Sequence, residues 1–153
     1  MENIEPVNSE ILIRDAIFDD LEAIGNIDAQ ISGARKPDYW NETFEFYSTH
    51  KENDFFFVAM NGDEVVGFIV GEIRAWEFGS SPCGWVFAIG IKVDQRLHKV
   101  GTSLLETLCE RFKQAGVEKV RTMVNRADRE IMAFFRSQGL MAGPYQELEK
   151  DLI

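Results

Sequence analysis

Residues 94–106 read Asp94-Gln95-Arg96-Leu97-His98-Lys99-Val100-Gly101-Thr102-Ser103-Leu104-Leu105-Glu106, "DQRLHKVGTSLLE". This stretch decides the fold. It follows the apolar run "WVFAIGIKV", which reads as a buried strand, and it opens a helical stripe of Val100, Leu104, Leu105, Leu108, Cys109 and Phe112. The first backbone amides of a helix lack intrahelical partners and sit at the positive end of its dipole. A strand–turn–helix junction therefore gathers N–H donors where a phosphate can sit. Arg96, His98 and Lys99 can add side-chain donors, and the planar fork of Arg binds phosphate best. The turn has a single glycine, Gly101, and neither GxxxxGK[ST] nor GxGxxG is present. On local sequence alone, an anion cradle and a solvated basic turn both stand open.

Working outward, the helix that begins here stops at Gly116, a good C-terminal cap, and "EKVRTMVN" is the next strand. Asp128 is placed to N-cap a helix over "REIMAFFRSQ", which ends at Gly139. "YQELEKDLI" reads as a last strand. Upstream, "EILIRDA" alternates as a first strand, and "FDDLEAIGNIDAQI" spaces Leu21, Ile24, Ile27 and Ile31 as a helix. "DYWNETFEFYSTH" follows as a second helix. "DFFFVAM" and "EVVGFIVGEIR" are strands joined through Asn61-Gly62-Asp63, a tight hairpin turn. The order β-α-α-β-β-β-α-β-α-β mixes hairpins with a β-α-β crossover, so the fold class is α/β with a mixed central sheet.

The 153 residues fit one domain, assigned to residues 10–153 after an N-terminal extension of residues 1–9. Apolar residues make up 45% and charged residues 27%, a globular composition. No apolar run has the length of a membrane span, and the acidic, polar start "MENIEPVNSE" is not expected to act as a signal peptide. The net charge of -10 argues against general nucleic-acid binding and is compatible with a cationic acceptor such as an amine. Cys83 and Cys109 are too few and too far apart for a disulfide framework or a zinc site, and no metal is expected. A cytoplasmic location is the default expectation.

The chain resembles the GCN5-related N-acetyltransferase (GNAT) family over about residues 10–153. That family's signature, Gln/Arg-x-x-Gly-x-Gly/Ala, reads here Arg96-Leu97-His98-Lys99-Val100-Gly101, with Lys99 in place of the middle glycine. "DREIMAFFRSQGL" is similar to the family's Asn-x-x-Ala-x-x-Phe-Tyr-x-x-x-Gly-Phe segment, with Asp128 at the Asn position and Phe134-Phe135 at Phe-Tyr. The resemblance implies the GNAT fold: six to seven strands, about four helices, and fourth and fifth strands that splay apart. It implies acetyl-CoA, or another acyl-CoA, as donor and an amine as acceptor. Carried over, the amides of Leu97, His98, Lys99, Val100, Gly101 and Thr102 would hold the pyrophosphate, with Arg96. The main chain of Ile91, Lys92 and Val93 would pair with the pantetheine, and Asp128 and Phe135 would also face the cofactor. A bulge near Ala88–Gly90 would help the splay, and Gly90 reads equally as a tight packing contact.

Transfer to an amine needs a base, an oxyanion donor and a tolerable leaving thiolate. "WVFAIGI" supplies no carboxylate, so Glu72 on the neighbouring strand is the candidate base, with Asp28 and Glu77 as weaker ones; a solvent-facing strand end is the bland reading of Glu72. The family's acid is a tyrosine, and Phe135 cannot replace it; Tyr145 is the candidate substitute. A backbone N–H near Val93 is the simplest oxyanion donor. The acceptor, a small molecule or peptide, would lie among Arg35, Lys36, Tyr39, Trp40 and Tyr145, although Trp40 at helical spacing also reads as core. A homodimer is compatible, through the last strand's edge or the aromatic second helix. The alternative function is a non-catalytic acyl-CoA-binding or interaction module on the same fold.

Overall fold

The structure is a computed structural model that describes residues 10–153; the expected extension, residues 1–9, and the side chains of Arg96, Leu97 and His98 lie outside the described residues. The described chain forms two units, one ending at Met123 and one running from Val124 to Ile153.

The first unit is built on a sheet of five strands: β1 (Ile11–Asp15), β2 (Asp54–Asn61), β3 (Glu64–Arg74), β4 (Cys83–Ile91) and β5 (Val120–Thr122). They lie in the order β1-β2-β3-β4-β5. The first four pair antiparallel and β5 pairs parallel to β4, so the sheet is mixed as expected. The turn between β2 and β3 takes its positive φ at Gly62, 62°. Helices α1 (Leu21–Ser32) and α2 (Pro37–Thr49) cover one face, where Leu21, Ile24, Ile27 and Trp40 pack on Phe56, Val58, Phe68 and Val70. Helix α3 (Val100–Gln114) presents the apolar stripe read in the sequence: Val100, Leu104, Leu105, Leu108 and Phe112 are all buried. It covers the opposite face so closely that a Cβ on Gly84 would meet the Phe112 ring at 2.3 Å.

In the second unit, α4 (Arg129–Ser137) is capped as its sequence predicts: the Asp128 carboxylate accepts from the Ile131 N–H at 3.1 Å. The expected last strand is not formed. Residues 140–153 have no regular secondary structure, and the sheet has five strands rather than six to seven. The pattern of "YQELEKDLI" accounts for this. In a strand, Leu148 and Leu152 would share a face with Gln146 and Lys150, and Glu147, Glu149 and Asp151 would share the other. Neither face can be buried without burying charge, and Leu148 and Leu152 stand fully in solvent.

Candidate active site

The site begins where β4 and β5 part. Their pairing covers three rungs only: Gly84 with Val120, Trp85 with Arg121 and Val86 with Thr122. The Thr122 hydroxyl closes the last rung by donating to the Val86 carbonyl at 3.0 Å. Immediately beyond, the β3–β4 register jumps from Gly71 opposite Val86 to Val70 opposite Ala88, leaving Phe87 as the bulged residue. β4 continues to Ile91 with no strand of the described residues on its far side. The splay expected between these strands is therefore present, and its bulge falls at Phe87, one residue before the expected stretch.

The main chain along this open edge alternates. The Lys92 N–H donates back to the Val66 carbonyl at 2.8 Å, so Lys92 faces β3. By the ladder's alternation Gly90 also faces β3, and Ile89 and Ile91 turn their N–H and C=O groups to the open side. Gly90 packs against its neighbour: it lies opposite Phe68, and an added Cβ would stand 2.5 Å from that ring. Val93 opens a 3-10 turn that runs to His98, anchored by the Gln95 N–H on the Lys92 carbonyl at 2.9 Å.

Lys99 then takes the left-handed conformation, φ 58° and ψ 24°. That is the backbone a glycine would favour, so the lysine at the family's middle-glycine position keeps the glycine's geometry instead of shifting the loop. Its side chain is exposed. At the start of α3 the Ser103 N–H donates to the Lys99 carbonyl at 3.0 Å, and the amides of Val100 and Gly101 precede it, at the positive end of the helix. Val100 pins the junction, being fully buried with its methyl against Gly67.

Glu72 lies on the face covered by α2, opposite Trp85 on β4, and its side chain is only 14% exposed. It is not the solvent-facing end of its strand. Tyr47 from α2 donates to its Oε2 at 3.1 Å, and Arg74 Nη1 lies 3.0 Å from its Oε1. Burial, with Glu72 alongside, pushes the Tyr47 hydroxyl well up, so it stays protonated and donates. Arg74 also binds Glu77 at 2.7 Å and lies over the Phe87 ring, 5.6 Å from its centre. One guanidinium thus ties the Glu72 carboxylate to the bulge. Directly opposite Glu72 on β2 is Asp54, a buried carboxyl pushed up by burial and by the Glu72 charge. Sequence reading missed both Tyr47 and Asp54. An acidic residue entering "DFFFVAM" was the available signal for Asp54, but only the strand register sets it against Glu72.

The other candidates have surroundings of their own. Trp40 is core, 3% exposed, packed on Phe68 and Phe56, with its N–H on the Asp28 carboxylate at 3.3 Å. Asp28 also pairs with Lys36 at 3.2 Å, which occupies it structurally. Tyr39 is half exposed against Trp40. Phe135, Asp128 and Tyr145 belong to the second unit, where Phe135 packs on Phe134 and Asp128 serves as the cap described above. Burial pushes the Cys109 thiol up, away from nucleophilic use. Among the described residues no cluster of His, Cys, Asp and Glu could hold a metal ion, and no helix is long and apolar enough to cross a membrane. A separate open depression of about 540 Å³, lined in part by Arg14, Asn26, Gln30, Met60 and Lys92, contains none of Asp54, Glu72 or Phe87.

Comparison with known proteins agrees with this architecture. No curated protein matches the sequence significantly. Among solved structures, an aminoglycoside N-acetyltransferase AAC(6')-Iy in complex with CoA superposes with a TM-score of 0.81 at 16% identity, over 98% of this chain and 100% of that one. A transcriptional regulator from Bacillus halodurans C-125 gives 0.78 at 20% identity, over 94% and 100%. Glucosamine-6-phosphate N-acetyltransferase from Arabidopsis thaliana gives 0.71 at 16% identity, over 94% and 99%. At these identities the likeness establishes the fold. The model of the acetyltransferase (GNAT) family matches residues 21–140, which include the opened β4 edge, the Lys99 turn and α3. The chain belongs to the GNAT acetyltransferase family.

Proposed function

We propose that this protein is an acetyl-CoA-dependent N-acetyltransferase that transfers the acetyl group to a primary amine by direct attack in a ternary complex. One observation carries the reading: on its side away from β3, β4 has no partner strand beyond Val86 among the described residues, and the main-chain groups of Ile89 and Ile91 turn to that side, ahead of the amides of Val100 and Gly101 at the start of α3. An extended chain with amide groups can pair with such an edge as a strand would. The helix start beyond it is suited to a pyrophosphate. The CoA complex of the superposed aminoglycoside enzyme supports the same donor. The small amines named for the neighbours support a small-molecule acceptor over a large one, and acetyl-CoA chemistry suits the expected cytoplasmic location.

The chain's own residues divide the work. The Ile89 N–H, next to the bulge, is better placed for the developing oxyanion than the amide of Val93, which opens a 3-10 turn. Glu72 accepts the amine's proton, directly or through water, with Tyr47 and Arg74 fixing its orientation. With phenylalanine at the family's tyrosine position, the thiolate leaves unprotonated or takes its proton from water. Replacement of Glu72 by Gln is expected to lower kcat by about a hundredfold and leave CoA affinity unchanged. Unchanged turnover across the pH range would remove Glu72 as base. The second reading, a non-catalytic acyl-CoA-binding or interaction module, draws on Phe135 and on the lack of a carboxylate in "WVFAIGI" on β4, and it requires CoA binding without turnover on any amine.

A further inference from the structure

Asp54 and Glu72 face each other in an arrangement that strands ordinarily avoid. The Ile73 N–H donates to the Asn53 carbonyl at 2.7 Å, while the Asp54 N–H turns away to the His50 carbonyl at 3.0 Å. Asp54 and Glu72 therefore form a non-hydrogen-bonded pair, the kind in which facing side chains come closest. Like charges at such a position repel. The groups around the pair come from every packed element. Tyr47 on α2 donates to Glu72, and Arg74 on β3 and Glu77 in the following turn form the ion pairs described above. His50, just after α2, has Nδ1 at 3.9 Å from Asp54 Oδ2 and a ring more than half exposed. Tyr39 adds a weak influence on Tyr47, and β4 contributes Trp85 opposite Glu72, which does not titrate.

The reaction creates a need for this pair. A primary ammonium and acetyl-CoA give an amide, a free thiol and one proton. The C–N bond forms as the C–S bond breaks. Of the two protons lost from nitrogen, one ends on sulfur and one must reach solvent. We propose that Asp54 is the proton store behind Glu72: Glu72 takes the proton from the amine, and Asp54 holds it and releases it at the surface beside His50. Asp54 is thus a positioning residue for the reaction, and its role rests on Glu72 being the base. Burial and the Glu72 charge push the Asp54 carboxyl up, which favours its protonated form.

Two measurements on the full chain test this. Carboxyl carbon NMR titration should show the Asp54 midpoint falling by about half a pH unit or more in Glu72→Gln. A midpoint that does not move overturns the coupling. The pH–rate profile of Asp54→Asn should show its acidic limb displaced to lower pH and its plateau reduced about tenfold, with KM for acetyl-CoA unchanged and partial rescue in Asp54→Glu. A folded Asp54→Asn protein with the wild-type limb and plateau overturns the store. If Glu72→Gln is inactive while Asp54→Asn behaves as wild type, the store alone fails. If Glu72→Gln is fully active, the assignment of the base fails with it.

Discussion

Asp54 on β2 stands directly across from Glu72 on β3, both largely buried, in a pair where like charges repel. This makes the site a standing cost to stability. Burial first and Glu72 second push the Asp54 carboxyl up, so the folded state binds its proton more tightly than the unfolded chain does. Stability therefore falls as pH rises from the unfolded aspartate value, about 3.9, through the folded value, and the cost is complete above it. Asp54→Asn is expected to raise Tm at pH 7.5 by about 2–4 °C, with the gain gone near pH 3.5. Thermal unfolding followed across pH checks both the sign and the window.

The opposite sign holds for Asp20. Burial pushes its carboxyl up, but two hydrogen bonds from Arg14 at 2.7 and 2.9 Å, the Ile17 N–H at 2.8 Å and the guanidinium charge together hold it below the ordinary range. Its contribution is present above the unfolded value, about 3.9, and is lost as pH falls through the folded one. Asp20→Asn is expected to cost about 2 kcal/mol at neutral pH, with the gap to wild type closing in acid. A difference in Tm that does not narrow as pH falls below the unfolded value would contradict this.

Lys99 stores conformational strain at the turn. A non-glycine residue at φ 58° costs about 1 kcal/mol. Lys99→Gly is expected to raise Tm, and Lys99→Ala is not. If the exposed amine contributes to phosphate binding, both variants lose CoA affinity alike, by about threefold or more, and the loss shrinks at high salt. Calorimetry at two salt concentrations reads this; a loss in Lys99→Ala alone would assign the effect to backbone geometry.

Gly90 sits where β4 needs room for the Phe68 ring. The Cβ of Gly90→Ala would stand 2.5 Å from it, and the expected destabilisation is about 1–3 kcal/mol. A variant as stable as wild type would show that the ring has space to move.

The order of elements up to α4 was legible because each carries its own local pattern. The Asn61-Gly62-Asp63 turn fixes the hairpin, the stripe from Val100 to Phe112 fixes α3, and Asp128 fixes the start of α4. The splay was legible only through family resemblance, since the bulge at Phe87 depends on pairing with β3. The alternation in "YQELEKDLI" resembles a strand, but both of its faces would have to bury charge. Of the site, Glu72 stood out as an acid within an apolar run. Asp54 and Tyr47 did not, because the register across β2 and β3 and the packing of α2 bring them to it. Trp40 reads in the sequence as an aromatic beside a basic loop, yet its burial makes it core.

The most direct test is thiol release from acetyl-CoA by the purified chain over a panel of small primary amines, peptide α-amines and lysine peptides. Release with at least one amine, reduced about a hundredfold in Glu72→Gln, is the predicted result. CoA bound tightly with no thiol released on any acceptor would contradict it.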